Sequence, residues 1–105
     1  QQQDVQTALA DVYGIFLGAD AVLTGLPLIE EARNHLPTIK LVTDLGGGSV
    51  KSQFKRADKS GAKLAVILGE DELNNHTLTI KYLREDKPQV TIEQKSLVAF
   101  LLGHL

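Results

Sequence analysis

A chain of 105 residues, 43% hydrophobic and 23% charged, amounts to one domain and is long enough for a layered core. The absence of cysteine excludes disulfides, thiolate metal sites and cysteine nucleophiles, and a formal net charge of −2 gives no global pull toward nucleic acid. No apolar run nears the roughly 20 residues that span a bilayer, Gln1-Gln2-Gln3-Asp4 has no signal-peptide character, and the lack of any methionine fits either a mature protein trimmed at its start or a domain taken from a longer polypeptide.

Residues 1–11 carry no clear pattern and read as a lead-in or linker from a missing domain. Val12 to Leu17 is a short apolar run closed by Gly18, as in a strand buried on both faces. From Asp20 to Leu36 a helix is expected, with Leu28, Ile29, Ala32 and Leu36 on one stripe. Pro27 requires that helix either to kink or to begin there, and Pro37 ends it. Ile39 to Asp44 forms a second strand and Gly46-Gly47-Gly48 a turn. Ser49 is a good N-cap for a helix from Val50 to Ser60, which Gly61 stops.

Leu64 to Leu68 is a third strand, and Gly69 to Asn75 a turn or one short helical turn. Thr77 to Leu83 alternates as a half-buried strand does, and Glu85-Asp86-Lys87-Pro88 turns the chain into Gln89 to Ile92, completing a hairpin. Ser96 to Leu105 is an apolar closing helix. Alternation of strands with helices makes the first three strands parallel through right-handed crossovers, and the hairpin adds an antiparallel strand. The expected fold class is α/β: a three-layer α/β/α domain over residues 12–105, around a mixed five-stranded sheet.

Gly46-Gly47-Gly48-Ser49 follows a parallel strand and opens a helix, a place where α/β sheets bind ligands. It lacks both a complete phosphate-loop and a dinucleotide fingerprint, and a simple tight turn also fits. Between Lys51 and Lys63 five basic residues stand against one acid, Asp58, a local +4 against −6 for the rest of the chain. On the helix Val50, Phe54 and Ala57 face the sheet, whereas Lys51, Lys55, Arg56 and Lys59 share a separate arc. A polyanion bound there would relieve the repulsion of like charges four residues apart; a solvated basic face would look the same. Glu70-Asp71-Glu72 suits Mg²⁺, acid/base work, base recognition or a plain helix start. His35, His76 and His104 have no ligand spacing, and no serine has an evident base partner.

The run from Asp44-Leu45-Gly46-Gly47-Gly48 through Gly61-Ala62, then Leu64 to Leu73 and Thr77 to Arg84, resembles the anticodon-binding domain of the histidyl-tRNA synthetases, over about residues 12–105. The resemblance implies the fold of the class IIa synthetase anticodon-binding domains. It also implies an N-terminal catalytic domain outside this chain, which binds ATP, Mg²⁺ and histidine and forms a homodimer. This chain alone is then not catalytic and needs no cofactor; its partner is the anticodon stem-loop of the histidine tRNA, in the cytoplasm. By resemblance the contacts with anticodon bases fall on Gly46, Gly47 and Gly48, on Glu72 and on Lys81. Gly47 stands where some relatives have a polar side chain, so contact there is through backbone. Lys81 stands where some have arginine, and lacks its bidentate fork. Lys51, Lys55 and Arg56 are the candidates for phosphate contacts, which position rather than specify. Two other readings stay open: a small-molecule or phosphate-binding module built on Gly46 to Ser49, and a synthetase-like domain reused for protein interaction.

Overall fold

The computed structural model describes residues 10–44 and 48–104. The chain runs β1 (Val12–Phe16), α1 (Ala19–His35), β2 (Leu41–Thr43), α2 (Val50–Lys59), β3 (Leu64–Leu68), α3 (Glu70–Asn75), β4 (Thr77–Tyr82), β5 (Val90–Glu93) and α4 (Leu97–His104), with one 3₁₀ turn, Gln94–Ser96, before α4. The strands form one sheet in the order β2-β1-β3-β4-β5. β1 is parallel to both its neighbours, with Val12 beside Leu41 and Leu64. β4 is antiparallel to β3, and β5 to β4. Every residue of β1 is buried, because β1 lies inside the sheet with helices on both faces, and its sequence accordingly shows no polar alternation.

α1, α3 and α4 cover one face, where Val12, Phe16, Val66 and Ile80 meet Ile29 and Leu101. Among the described helices α2 alone covers the other, through Ala57 over Tyr13, Ile15 and Ala65. The three layers are therefore unequal. Burying an Ile- or Leu-sized side chain stabilises by about 1.5–3 kcal/mol, and the second core is built mostly of alanines, Ala10, Ala57, Ala62 and Ala65. A single helix also leaves the far strands bare on that side. Thr79 and Lys81 of β4, paired with Ile67 and Ala65, and Thr91 of β5, paired with Thr79, share the α2 face of the sheet. Lys81 and Thr91 are exposed there.

Of the two readings for Pro27, a start there is excluded: α1 starts at Ala19, behind Gly18 with φ 103°, and contains the proline. Interior proline costs roughly 3 kcal/mol, and the burial of Ala21, Gly25, Ile29 and Ala32 on both sides of it offsets that. Leu23, whose carbonyl would have received the missing bond, is 72% exposed, so water can serve that turn. The domain also starts earlier than the pattern suggests. Ala10 is fully buried and donates its N–H to the Ser60 carbonyl at 3.3 Å, while Asp11 Oδ2 accepts the Lys40 N–H at 2.9 Å. The remainder of the expected lead-in, residues 1–9, lies outside the described residues. No described helix is long and apolar enough to cross a membrane.

Candidate nucleic-acid interface

β1 and β2 send the chain to opposite faces of the sheet, the first through Gly18 into α1 and the second through Ser49 into α2. Loops that part in this way leave a crevice beyond the carboxyl ends of the strands. Here it is a cavity of about 550 Å³, whose lining includes Phe16, Leu17, Val22, Asp44, Gly48 and Gln53. Ser49 caps α2 by accepting the Ser52 N–H at 3.1 Å, which sets the positive end of the helix dipole at this crevice. Gly48, with φ 88°, holds a conformation that favours glycine. Gly46 and Gly47 lie outside the described residues.

The basic residues of α2 separate into two groups. Lys51 and Lys55 are exposed along the helix. Arg56 instead turns back to the strand ends, where Nε donates to Asp44 Oδ2 at 2.7 Å and Nη2 to Oδ1 at 3.0 Å. Tyr13 Oη donates to the same Oδ2 at 3.0 Å. The Asp44 side chain is 1% exposed and that of Arg56 43%; a carboxylate so far from water needs these donors to remain charged. The hydrogen bond to Asp44 raises the pKa of Arg56 above its ordinary value. Burial, and then the hydrogen bond to Asp44, raises that of the Tyr13 phenol. Two of the five N–H groups of Arg56 are thus directed to Asp44, on a side chain that is still partly exposed.

Glu72 serves its own helix. Oε1 accepts the Gly69 N–H at 2.8 Å, closing the capping box of α3, and Oε2 accepts the Thr79 hydroxyl at 2.9 Å. A carboxylate has about four acceptor sites, so two such bonds orient it without exhausting it. Lys81 lies two residues beyond Thr79 on the same face, its Nζ 5.0 Å from the centre of the Phe54 ring of α2. Glu72 and Lys81 therefore lie about Thr79, itself 8% exposed, with Phe54 beside Lys81, while Arg56 points to the other flank of α2. The periodic assignment of Val50 to the sheet-facing arc fails, since Val50 is 44% exposed at the crevice mouth; as the first residue of α2 it has no turn before it to hold it down. Gln53 takes the buried place at 2% exposure. His35 and His104 bond carbonyls of their own helices, those of Glu31 and Phe100. No group of three metal-binding side chains occurs among the described residues.

Tyr13, Asp44, Gln53 and Thr79 belong to this region and were not singled out from the sequence. Two of them had a signal: an acid closing an apolar strand needs a partner, and Gln53 falls between Val50 and Ala57 on the inward arc of α2, where a polar side chain is out of place.

A mixed five-stranded sheet with a crevice at its strand ends, a lysine-bearing helix beside it and Glu72 and Lys81 on one sheet face defines a small α/β domain with the elements of a recognition surface. The family model described as the anticodon binding domain matches residues 11–104, and the chain belongs to that family. It is 45% identical over 91 residues to a histidine–tRNA ligase of Coxiella burnetii (strain CbuG_Q212), covering 87% of this chain and 22% of that protein. Against the histidine–tRNA ligase of Hydrogenovibrio crunogenus it is 46% identical over 91 residues, covering 87% and 21%. The chain spans about a fifth of the length of these ligases. The crystal structure of apo S. aureus histidyl-tRNA synthetase superposes with a TM-score of 0.80 at 26% identity, over 94% of this chain and 28% of that one. The RNA binding domain of threonyl-tRNA synthetase from Cryptosporidium parvum shares the fold, with a TM-score of 0.80 at 11% identity over 90% of this chain and 23% of that one. These similarities support neither the phosphate-module nor the interaction-module reading.

Proposed function

We propose that this chain is the anticodon-reading domain of a histidine–tRNA ligase and binds the anticodon stem-loop of the histidine tRNA. The observation that supports this most is the placement of half-buried Glu72 and exposed Lys81 about buried Thr79, an oriented acceptor and a donor on the α2 face of the sheet. Single-stranded anticodon bases present their edges for hydrogen bonding once unstacked. Glu72, held by Gly69 and Thr79, accepts from base amino groups, and Lys81 donates to base or phosphate oxygens. Lys51 and Lys55 neutralise the backbone and set affinity more than identity. Gly46 to Gly48 contribute backbone groups. ATP, Mg²⁺, histidine, the catalytic site and the dimer contacts belong to the rest of the ligase, which works in the cytoplasm.

Glu72→Gln is the discriminating variant, because glutamine preserves the capping box while replacing one acceptor oxygen with a donor. It should lower the preference for the cognate stem-loop by about 1–3 kcal/mol. Lys55→Ala should weaken cognate and non-cognate stem-loops by the same factor and reduce the log–log salt slope by roughly 0.7–1. Equal affinity of the unmodified chain for cognate and non-cognate stem-loops, measured by fluorescence anisotropy, would overturn the proposal.

A further inference from the structure

Gln53 is the least comfortable side chain in the described structure. It is 2% exposed, on the inward side of α2, and its Oε1 is the one buried side-chain polar atom without a hydrogen-bond partner among the described residues. Its Nε2 donates only to the Gly48 carbonyl, at a long 3.4 Å. Buried amide carbonyls are almost always paired, and one that is not calls for a ligand, an ion or an ordered water.

The surroundings of Gln53 are those of a ligand site. It lines the cavity beyond β1 and β2, together with the apolar Phe16, Leu17, Val22 and Val50. Phe16 is held in place by the close approach of Gly14 and Gly25 to its ring, so its part of the cavity wall is fixed in position. Two other polar side chains line the cavity and both are engaged: Asp44 receives Arg56 and Tyr13, and Ser49 Oγ accepts the Ser52 N–H and bonds the Ser52 hydroxyl. Gln53 is therefore the side chain there with an acceptor to spare. The cavity also stands where the loops after two neighbouring parallel strands diverge.

We propose that Gln53 is a specificity-determining residue that reads one unstacked anticodon base taken into this cavity. The base lies against Phe16, Val22 and Val50 and gives a ring or exocyclic N–H to Gln53 Oε1. An amide carries donor and acceptor on one edge and so matches a base edge bidentately. Presenting that edge requires release of the 3.4 Å bond to Gly48 and a turn about the terminal torsion of Gln53, which is broad. Glu72 and Lys81, on the α2 face of the sheet, would receive a different base. This inference rests on the anticodon-binding reading, and adds to it a second, enclosed subsite.

The test uses anticodon stem-loops in which each anticodon base is replaced in turn, with inosine for guanosine to delete a single amino group. Gln53→Leu, of similar volume, should reduce discrimination about tenfold at one anticodon position, worth about 1.4 kcal/mol, and leave the other two unchanged. In the unmutated, ¹⁵N-labelled chain the Gln53 side-chain amide resonances should shift on titration with the cognate stem-loop, a readout that holds even where Gln53→Leu fails to fold. Unchanged discrimination at all three positions in a folded Gln53→Leu, or Gln53 amide resonances that stay fixed at saturating RNA, overturns the inference and leaves the carbonyl to an ordered water. A parent chain that discriminates at no position overturns the anticodon reading and this inference with it.

Discussion

Gly25→Ala sets a gain within α1 against a clash with β1. In a helix interior alanine is favoured over glycine by about 1 kcal/mol, and at an exposed position the substitution would stabilise the fold. Gly25, however, is buried where α1 crosses Phe16. A Cβ there would stand 2.5 Å from Phe16 Cζ, 2.6 Å from Cε1 and 2.8 Å from Cε2. Carbon pairs settle at about 3.5–4.0 Å, so the ring would have to withdraw by roughly 1 Å. Gly14 lies against the same ring, a Cβ added there standing 3.1 Å from Cζ, so withdrawal toward β1 is limited. Overpacking of this kind costs about 1–3 kcal/mol, and a clash with three ring atoms belongs at the upper end. After the helix gain, a net loss of about 1–2 kcal/mol remains. For a domain of this size that lowers Tm by about 5–12 °C, readable by circular dichroism. Phe16→Leu removes the ring, and in that background Gly25→Ala should be neutral or stabilising. Unchanged or increased stability of Gly25→Ala alone, or the same loss in the Phe16→Leu background, would refute the reasoning.

The Asp44 cluster gives two further predictions. Arg56→Met strands a carboxylate that is 1% exposed, whereas Asp44→Asn strands a guanidinium that water still reaches, so Arg56→Met should cost more, with Asp44→Asn near 2 kcal/mol as a rough figure; urea midpoints for the two variants give the order, and the reverse order contradicts it. Tyr13 has its pKa raised above the ordinary 10.0, so the folded state keeps a proton that the unfolded chain releases. That contribution to stability is intact below the unfolded value and is lost as pH rises through the folded one. Above about pH 10 the urea midpoint of the parent should fall more steeply than that of Tyr13→Phe, and parallel curves would remove Tyr13 from the alkaline response.

The element order and the parallel core could be read from the sequence because β1 and β3 are continuous apolar runs with a helix between each parallel pair. Pairings across distance could not. Nothing local marks Arg56 as the partner of Asp44, twelve residues away, or Thr79 as a ligand of Glu72; only the sheet register brings Thr79 beside the α3 cap. Periodicity put Val50 on the wrong side because it assumes an endless helix, and Val50 opens this one. Pro27 left a kink or a start open for a related reason, since local cost was visible and the burial that lets α1 begin at Ala19 was not. For the candidate site, the family resemblance named Glu72 and Lys81 one by one; that Thr79 lies between them, and the internal bonds that orient Glu72, come from the fold.

The alanine core beneath α2 has one more consequence, for the order in which the domain comes apart. With a core whose fully buried part is mostly alanine, α2 is located also by directional clamps in its C-terminal half: Arg56 on Asp44, and Arg84 on Asp58 and the Ala62 carbonyl. Such clamps fix the helix, and Lys51 and Lys55 on it, in direction and register. They resist opening less than the burial that secures α1 and α4, so the α2 layer is the cooperative unit of lower free energy. A polyanion that binds only when α2 is in place adds its binding free energy to that layer alone. The half of the domain that is weaker by itself would be the half that a bound polyanion completes.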